Sequence, residues 1–453
     1  MRPFTPFALS LTLAAVLLTT PGSLAQKATI DHYVALVAGS AQEKQAAWQA
    51  VSASFAPQDL PILLDVLHLS SSRQLRQMAN DLIRARTGEQ LGPELDSWYQ
   101  WLWSKEDRST PERFADFKSQ LWRLVDPKFA GYFGDEKPLT IQLDEVRWGG
   151  VGQDGIPPLR DPKLVTAKKA RFLDDSNVVF GIEINGEARA YPKRILAWHE
   201  MVTETVGGVP IAGVYCTLCG TMIIYETEVD GVSHDFGTSG FLYRSNKLVY
   251  DRATQSLWNT LWGTPVIGPL VDQNVTLPRR SIVTTTWGEW RKRHPDTMVV
   301  SKNTGHDRDY SEGAAYREYF ATDELMFTVQ HDDDRLANKA EVFGLVFDHA
   351  PMDALALSAD FLAANPLWKG TLAGVEMVVL TDASGANRAY RADGVDFASW
   401  DGGRTVRDAD GGEWTLSEDE LTGPEARTLE RLPSQRAFWF GWRAAFPDTR
   451  LVK

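Results

Sequence analysis

Cysteine is almost absent. The 453-residue chain has two, Cys216 and Cys219, both within Tyr215-Cys-Thr-Leu-Cys-Gly-Thr221. Two cysteines cannot build a disulfide framework for a chain of this length. In an oxidising compartment such a pair is a labile or catalytic disulfide, or a metal protects it. An excess of positive charge is also missing. Asp and Glu outnumber Lys and Arg by 60 to 47, for a net charge of −13, which argues against nucleic acid and anionic lipid as partners. No Gly-x-Ser-x-Gly elbow, P-loop or dinucleotide fingerprint occurs, so triad hydrolysis and nucleotide chemistry are disfavoured. Past the N-terminus no apolar run is long enough to span a bilayer, and no transmembrane span is expected in the mature chain.

An apolar stretch does open the chain. Arg2 precedes the uncharged run Phe7 to Leu18, and Ser23-Leu24-Ala25 follows as a small-x-small site. This pattern predicts a secretory signal peptide over residues 1–25 and a periplasmic or secreted protein; an uncleaved membrane anchor is the alternative.

Residues 26–125 are expected to form a small all-α, repeat-like domain, a surface open to a protein partner. Its segments are Ala41 to Phe55, a helix entered at Pro61, Ser72 to Arg86, and the aromatic face Asp96 to Trp103. A Gly- and Pro-rich crossover over 126–170 leads to a main domain over 171–453. There, Val178 to Ile184, the turn Asn185-Gly186 and Glu187 to Tyr191 read as a β-hairpin. A helix is expected from Pro192 to about Val206, and two strands should flank the cysteine turn. The fold class is therefore α+β, a β-rich main domain behind a helical one.

The main domain echoes itself. Trp287-Gly-Glu-Trp-Arg to Pro295-Asp-Thr297 matches Trp439-Phe-Gly-Trp-Arg to Pro447-Asp-Thr449. Val179-Phe-Gly-Ile matches Val342-Phe-Gly-Leu, and Gly208-Val-Pro-Ile matches Gly374-Val-Glu-Met, in the same order. Two tandem copies are inferred, about 171–300 and 340–453, with a connector over 301–339. Only the first carries the cysteines, which separates them from the needs of the fold and moves them toward function.

A strand–Cys-x-x-Cys-Gly–strand arrangement suits a knuckle. Both thiols leave a tight turn on one side, Gly220 supplies positive φ, and backbone N–H groups face the sulfurs. His199 follows Ile195 by four residues and precedes Val202 by three on the expected helix, which puts it on the buried face and makes it the third candidate metal ligand. The expected cofactor is one transition-metal ion, copper or zinc. Ser239, Tyr243, Asp251, Trp258 and Glu200 are candidates for a neighbouring pocket, with Glu200 alternatively a surface or outer acid. His234, His294, His306, His331 and His349 rank lower, in loops or isolated.

Together these residues resemble a bacterial and archaeal family of exported proteins classified as a domain of unknown function. The matching segments are Tyr191 to Glu200, Tyr215 to Thr221, Ser239 to Tyr243, Tyr250 to Trp258 and Phe438 to Trp442. The resemblance spans about 170–453 and carries over His199, Cys216 and Cys219, but not His234. Thr217 stands where the family pattern has proline. The resemblance implies no established activity. The expected function is an exported metal-binding protein, a carrier or a metalloenzyme. A thiol–disulfide oxidoreductase with His199 as proton acceptor, and a non-enzymatic binding module with a structural metal, are the alternatives.

Overall fold

The computed structural model describes residues 27–453 apart from 107, 331 and 332. The expected signal peptide and His331 lie outside the described residues. Six helices come first, Ile30–Ala38, Ala41–Ser54, Leu60–Leu69, Arg73–Thr87, Leu95–Trp103 and Phe114–Trp122. Ser40 and Ser72 cap two of them with side-chain oxygens, and Pro61 sits in the first turn of a third. Their core includes Trp98, Trp103 and Trp122, and it continues without a break onto Phe241, Leu248 and Tyr250 of the β region. The ring of Trp122 meets that of Phe241 edge-on at 5.8 Å.

The β region follows the expected hairpin. Val178–Ile184 pairs with Glu187–Pro192, and Asn185 and Gly186 both have positive φ, as a two-residue hairpin turn requires. The next helix is shorter than expected. It spans Lys193–His199 and stops where Glu200 turns to φ 55. Met201–Val206 is a strand, because Val202, Thr203, Thr205 and Val206 are β-branched and pair with Val209–Cys216. Apolar spacing alone carried the helix one element too far.

One strand order occurs twice. In the first unit Val178–Ile184 and Glu187–Pro192 lead through a helix into the antiparallel meander Met201–Val206, Val209–Cys216, Thr221–Glu226. Much later Val283–Thr286 returns antiparallel to the first strand, and Met298–Val300 lies parallel to the second. In the second unit Glu341–Phe347 and Ala350–Ser358 lead into Leu367–Leu372, Val375–Thr381, Asn387–Arg391. Ser434–Phe438 and Arg450–Val452 then close it with the same two pairings.

The returning helices, Trp287–Arg293 and Trp439–Ala445, each press a tryptophan onto a glycine. A Cβ at Gly181 would lie 2.3 Å from the Trp290 ring, and one at Gly344 2.3 Å from the Trp442 ring. Each indole N–H donates to a threonine at 3.0 Å, Trp290 to Thr297 and Trp442 to Thr449. The sequence echoes are these contacts.

Cys216 ends its strand opposite Thr221, and Thr381 ends the corresponding strand opposite Asn387. In place of thiols, the second turn is held by Asp382, which accepts from the backbone N–H groups of Ser384 and Ala386 and pairs with Arg388 at 3.0 Å. Each unit also carries an insertion. That of the first includes Phe236–Tyr243 and Asn246–Asp251, which lie against the cysteine turn.

Candidate functional site

Cys216 is the last residue of one strand and Thr221 the first of the next, so the hairpin itself sets the turn between them. Gly220 has φ 60, and a Cβ there would strike the Phe438 ring at 2.8 Å. Glycine is needed twice over, for the conformation and for the close approach. The Phe438 N–H donates to Cys219 O at 2.7 Å. On the other side of the turn, Gly441 of the Trp439–Ala445 helix approaches so closely that a Cβ would lie 3.2 Å from Cys219 Sγ. The Phe438-Trp-Phe-Gly-Trp442 segment is thus the seat of the cysteine turn.

The two sulfurs lie 2.8 Å apart, and both cysteines are buried and free. Their environments differ. Burial would raise the Cys216 thiol, but hydrogen bonds from the Cys219 thiol and from the backbone N–H groups of Lys247, Cys219 and Leu218 outweigh it and bring Cys216 below its ordinary value. Burial and the facing Cys216 sulfur push Cys219 well above. Cys216 is therefore the more acidic thiol of the two and Cys219 the one that holds its proton more tightly.

Glu200 stands beside them, not at the surface; it is 3% exposed. Its carboxylate accepts from Thr217 Oγ1 at 2.9 Å, from the Tyr316 hydroxyl at 3.0 Å, and from Lys247 Nζ. Three donors thus converge on one buried carboxylate. Burial pushes the Lys247 ammonium down, to about 7. Leu248 and Tyr250 of the Lys247 strand join the core of the helical region, and the alternation of a strand sends Lys247 to the opposite, cysteine side.

The connector over 301–339 covers the site. Tyr316 reaches Glu200, the Tyr319 hydroxyl donates to Leu218 O at 2.8 Å, and Ser245 Oγ donates to Phe327 O at 2.8 Å. A cavity of about 60 Å³ remains, lined by Cys216, Thr217, Glu200, Lys247, Tyr316 and apolar side chains.

His199 does not join the thiols. Its Nδ1 lies 2.9 Å from Pro157 O and its Nε2 2.6 Å from the Tyr310 hydroxyl, so both ring nitrogens are engaged. The helix ends at His199 and the chain reverses into a strand, which sends Glu200 to the cysteines instead. The other expected pocket residues also lie elsewhere. Ser239 donates to Leu248 O at 2.6 Å and accepts from Phe241 N–H at 3.0 Å, as a stitch within its sheet. The Tyr243 ring packs on Trp262 at 5.9 Å. Asp251 accepts from Thr254 N–H at 2.8 Å and lies 3.1 Å from His234 Nδ1, and the His234 ring packs on Trp258 at 5.3 Å. These three form a separate buried cluster. His306 stacks near His199 at 5.1 Å, His294 lies between Glu183 and Glu418, and His349 stacks on Phe347.

Among the described residues no group of three or more His, Cys, Asp or Glu side chains is placed to hold a metal ion. Two thiolates on one tetrahedral zinc, each at roughly 2.3 Å, stand about 3.8 Å apart, whereas these sulfurs are at 2.8 Å. The remaining neighbours of Cys219 Sγ are Ser245 O at 3.4 Å and Asn246 Oδ1 at 3.7 Å, weak ligands for a soft ion. The donor set does not fit a resident copper or zinc.

The family described as Protein of unknown function (DUF3179) matches residues 153–449. The chain belongs to this family. The match begins beyond the six helices and takes in the first β unit, the cysteine turn, the connector and the second unit up to its closing strand. No curated protein and no solved structure matches the chain. Within this DUF3179 region Lys247, Tyr316 and Thr217 escaped the sequence reading. Lys247 did leave a signal: a lone lysine in Asn246-Lys-Leu-Val-Tyr-Asp251, a strand buried throughout. Tyr316 left none, because a loop position says nothing of what it covers.

Proposed function

We propose that Cys216 and Cys219 are a thiol–disulfide redox couple. Cys216 is the attacking thiolate and Cys219 the resolving thiol. The observation that carries this is the pair itself, two sulfurs at 2.8 Å in unequal surroundings, one made more acidic by N–H groups and the other less so by burial. Closing to a disulfide needs a sulfur shift of under about 1 Å. In the forward direction both thiols lose their hydrogens and two electrons pass to an acceptor. His199 has no part in the proton transfer; Lys247 and Glu200 are the ionisable groups at hand.

The apolar N-terminal run supports an exported protein, where such a pair would cycle in an oxidising compartment. The two matching strand orders and the paired Gly–Trp contacts support a duplicated unit of which one copy carries the thiols.

Free-thiol counting with metal analysis tests the assignment. Reduced protein should titrate two thiols, and mild oxidation should remove both reversibly, with no intermolecular crosslink. Stoichiometric metal in the purified protein, lost in Cys216→Ser, would overturn the couple and restore the metal site.

A further inference from the structure

The surroundings of the couple limit what can oxidise it. Cys216 is 2% exposed and Cys219 fully buried. Among the described residues a cavity of about 60 Å³ leads to a sulfur, that of Cys216; Cys219 is not part of its wall. Since a water molecule needs roughly 10–15 Å³ on this measure, the space holds on the order of four to six water-sized positions. Attack on a disulfide requires the incoming sulfur, the attacked sulfur and the leaving sulfur close to one line. A protein disulfide, or even that of a tripeptide, does not fit in this volume. Two bonded oxygens do.

The polar groups of the wall suit an O–O bond. Lys247 has three N–H donors, and among the described residues its ammonium has one protein acceptor, Glu200. The others are left for a guest. Thr217 and Tyr316 spend their hydroxyl hydrogens on Glu200, so their oxygens face the cavity as acceptors. Thus a nucleophilic sulfur, an acid and acceptor oxygens line one small space whose other walls, such as Phe327 and Leu242, are apolar.

We propose that the substrate which oxidises this couple is a small hydroperoxide, hydrogen peroxide or one scarcely larger, with Lys247 as the proton donor to the leaving oxygen. This rests on the redox-couple assignment above. The Cys216 thiolate attacks one peroxide oxygen; an S–O bond forms and the O–O bond breaks. Sulfur is oxidised by two electrons to a sulfenic acid, and the second oxygen leaves as hydroxide, taking a proton from Lys247 to become water. The Cys219 sulfur then attacks Cys216, the sulfenic oxygen departs with the Cys219 proton as a second water, and the disulfide closes. The sum is dithiol plus hydrogen peroxide to disulfide plus two waters.

The test is a comparison of oxidants on the reduced full chain, following thiol loss by stopped flow. Hydrogen peroxide is expected to oxidise the pair at least about 10²-fold faster than it oxidises free cysteine at the same pH, the low end of what a positioned proton donor gives. Cumene hydroperoxide and glutathione disulfide should be slower than hydrogen peroxide by a comparable factor. In Cys219→Ser the sulfenic acid should persist, seen as a gain of one oxygen at Cys216 in the mass of the protein. Lys247→Met should lose most of the rate with peroxide while both thiols still titrate once the protein is unfolded. The size comparison needs no variant and stands if Lys247→Met does not fold. If glutathione disulfide oxidises the pair as fast as peroxide, or if peroxide is no faster than with free cysteine, the hydroperoxide assignment falls and the couple survives. If no oxidant closes the disulfide, both fall.

Discussion

At Glu200 the backbone and the side chain make opposite demands. A left-handed φ costs an L-residue roughly 1–2 kcal/mol, and glycine would avoid it. In return the side chain accepts from Lys247, Thr217 and Tyr316 together. Removing one partner of a buried ion pair costs about 3–5 kcal/mol. Glu200→Ala is therefore expected to lose stability on that scale in urea denaturation. Glu200→Gly should lose about 1 kcal/mol less, because it recovers the backbone term. Equal losses would show that the left-handed turn at residue 200 is not strained. The sequence could not reveal this residue's place. Its neighbour His199 looked the better candidate on helical spacing, and that spacing held only if the helix ran on past residue 200.

Between elements, the recurring contact is a helix laid across a hairpin with a tryptophan over a glycine. Gly181 and Gly344 are the points of closest approach in the two units. A methyl group added at either must push an indole that is itself buried and tied to a threonine. Overpacking of this kind costs about 1–3 kcal/mol. Gly181→Ala and Gly344→Ala should each lower the urea midpoint, and by similar amounts, since the geometry is the same. A loss in one variant only would mean that the two units do not share the contact. Here the sequence was legible. Trp, Thr and Gly recur at matched positions because the same helix has to be seated twice. The cysteine turn was legible as an element too, for a hairpin needs only local pairing and Gly220.

For the molecule as a whole, acid is the condition that both regions meet in the same way. Burial pushes His68, in the helical region, and His199, in the β region, down to about 4 from an ordinary 6.5. The unfolded chain takes up these protons near pH 6.5, the folded chain only near pH 4. Between those values the unfolded state binds more protons, so stability falls as the pH drops through the window; above it neither histidine contributes. Urea midpoints at pH 7, 5.5 and 4.5 should decline, and the decline should be shallower in His199→Gln. An unchanged slope in that variant would show that His199 is not held neutral by the fold.

By itself the sequence determined the local parts: the Asn185-Gly186 hairpin, the cysteine turn between two strands, the helical segments ahead of them, and the echo of one unit in the next. Each follows from neighbours along the chain, from turn chemistry, side-chain alternation and capping. What the cysteines face was decided only by the tertiary structure. Glu200, Lys247, Tyr316 and Gly441 come from four distant segments, and no periodicity links positions that meet only after sheets, connector and closing helix have packed. That packing withdrew His199 from the thiols, set two sulfurs in unequal fields, and left beside one of them a space of about 60 Å³.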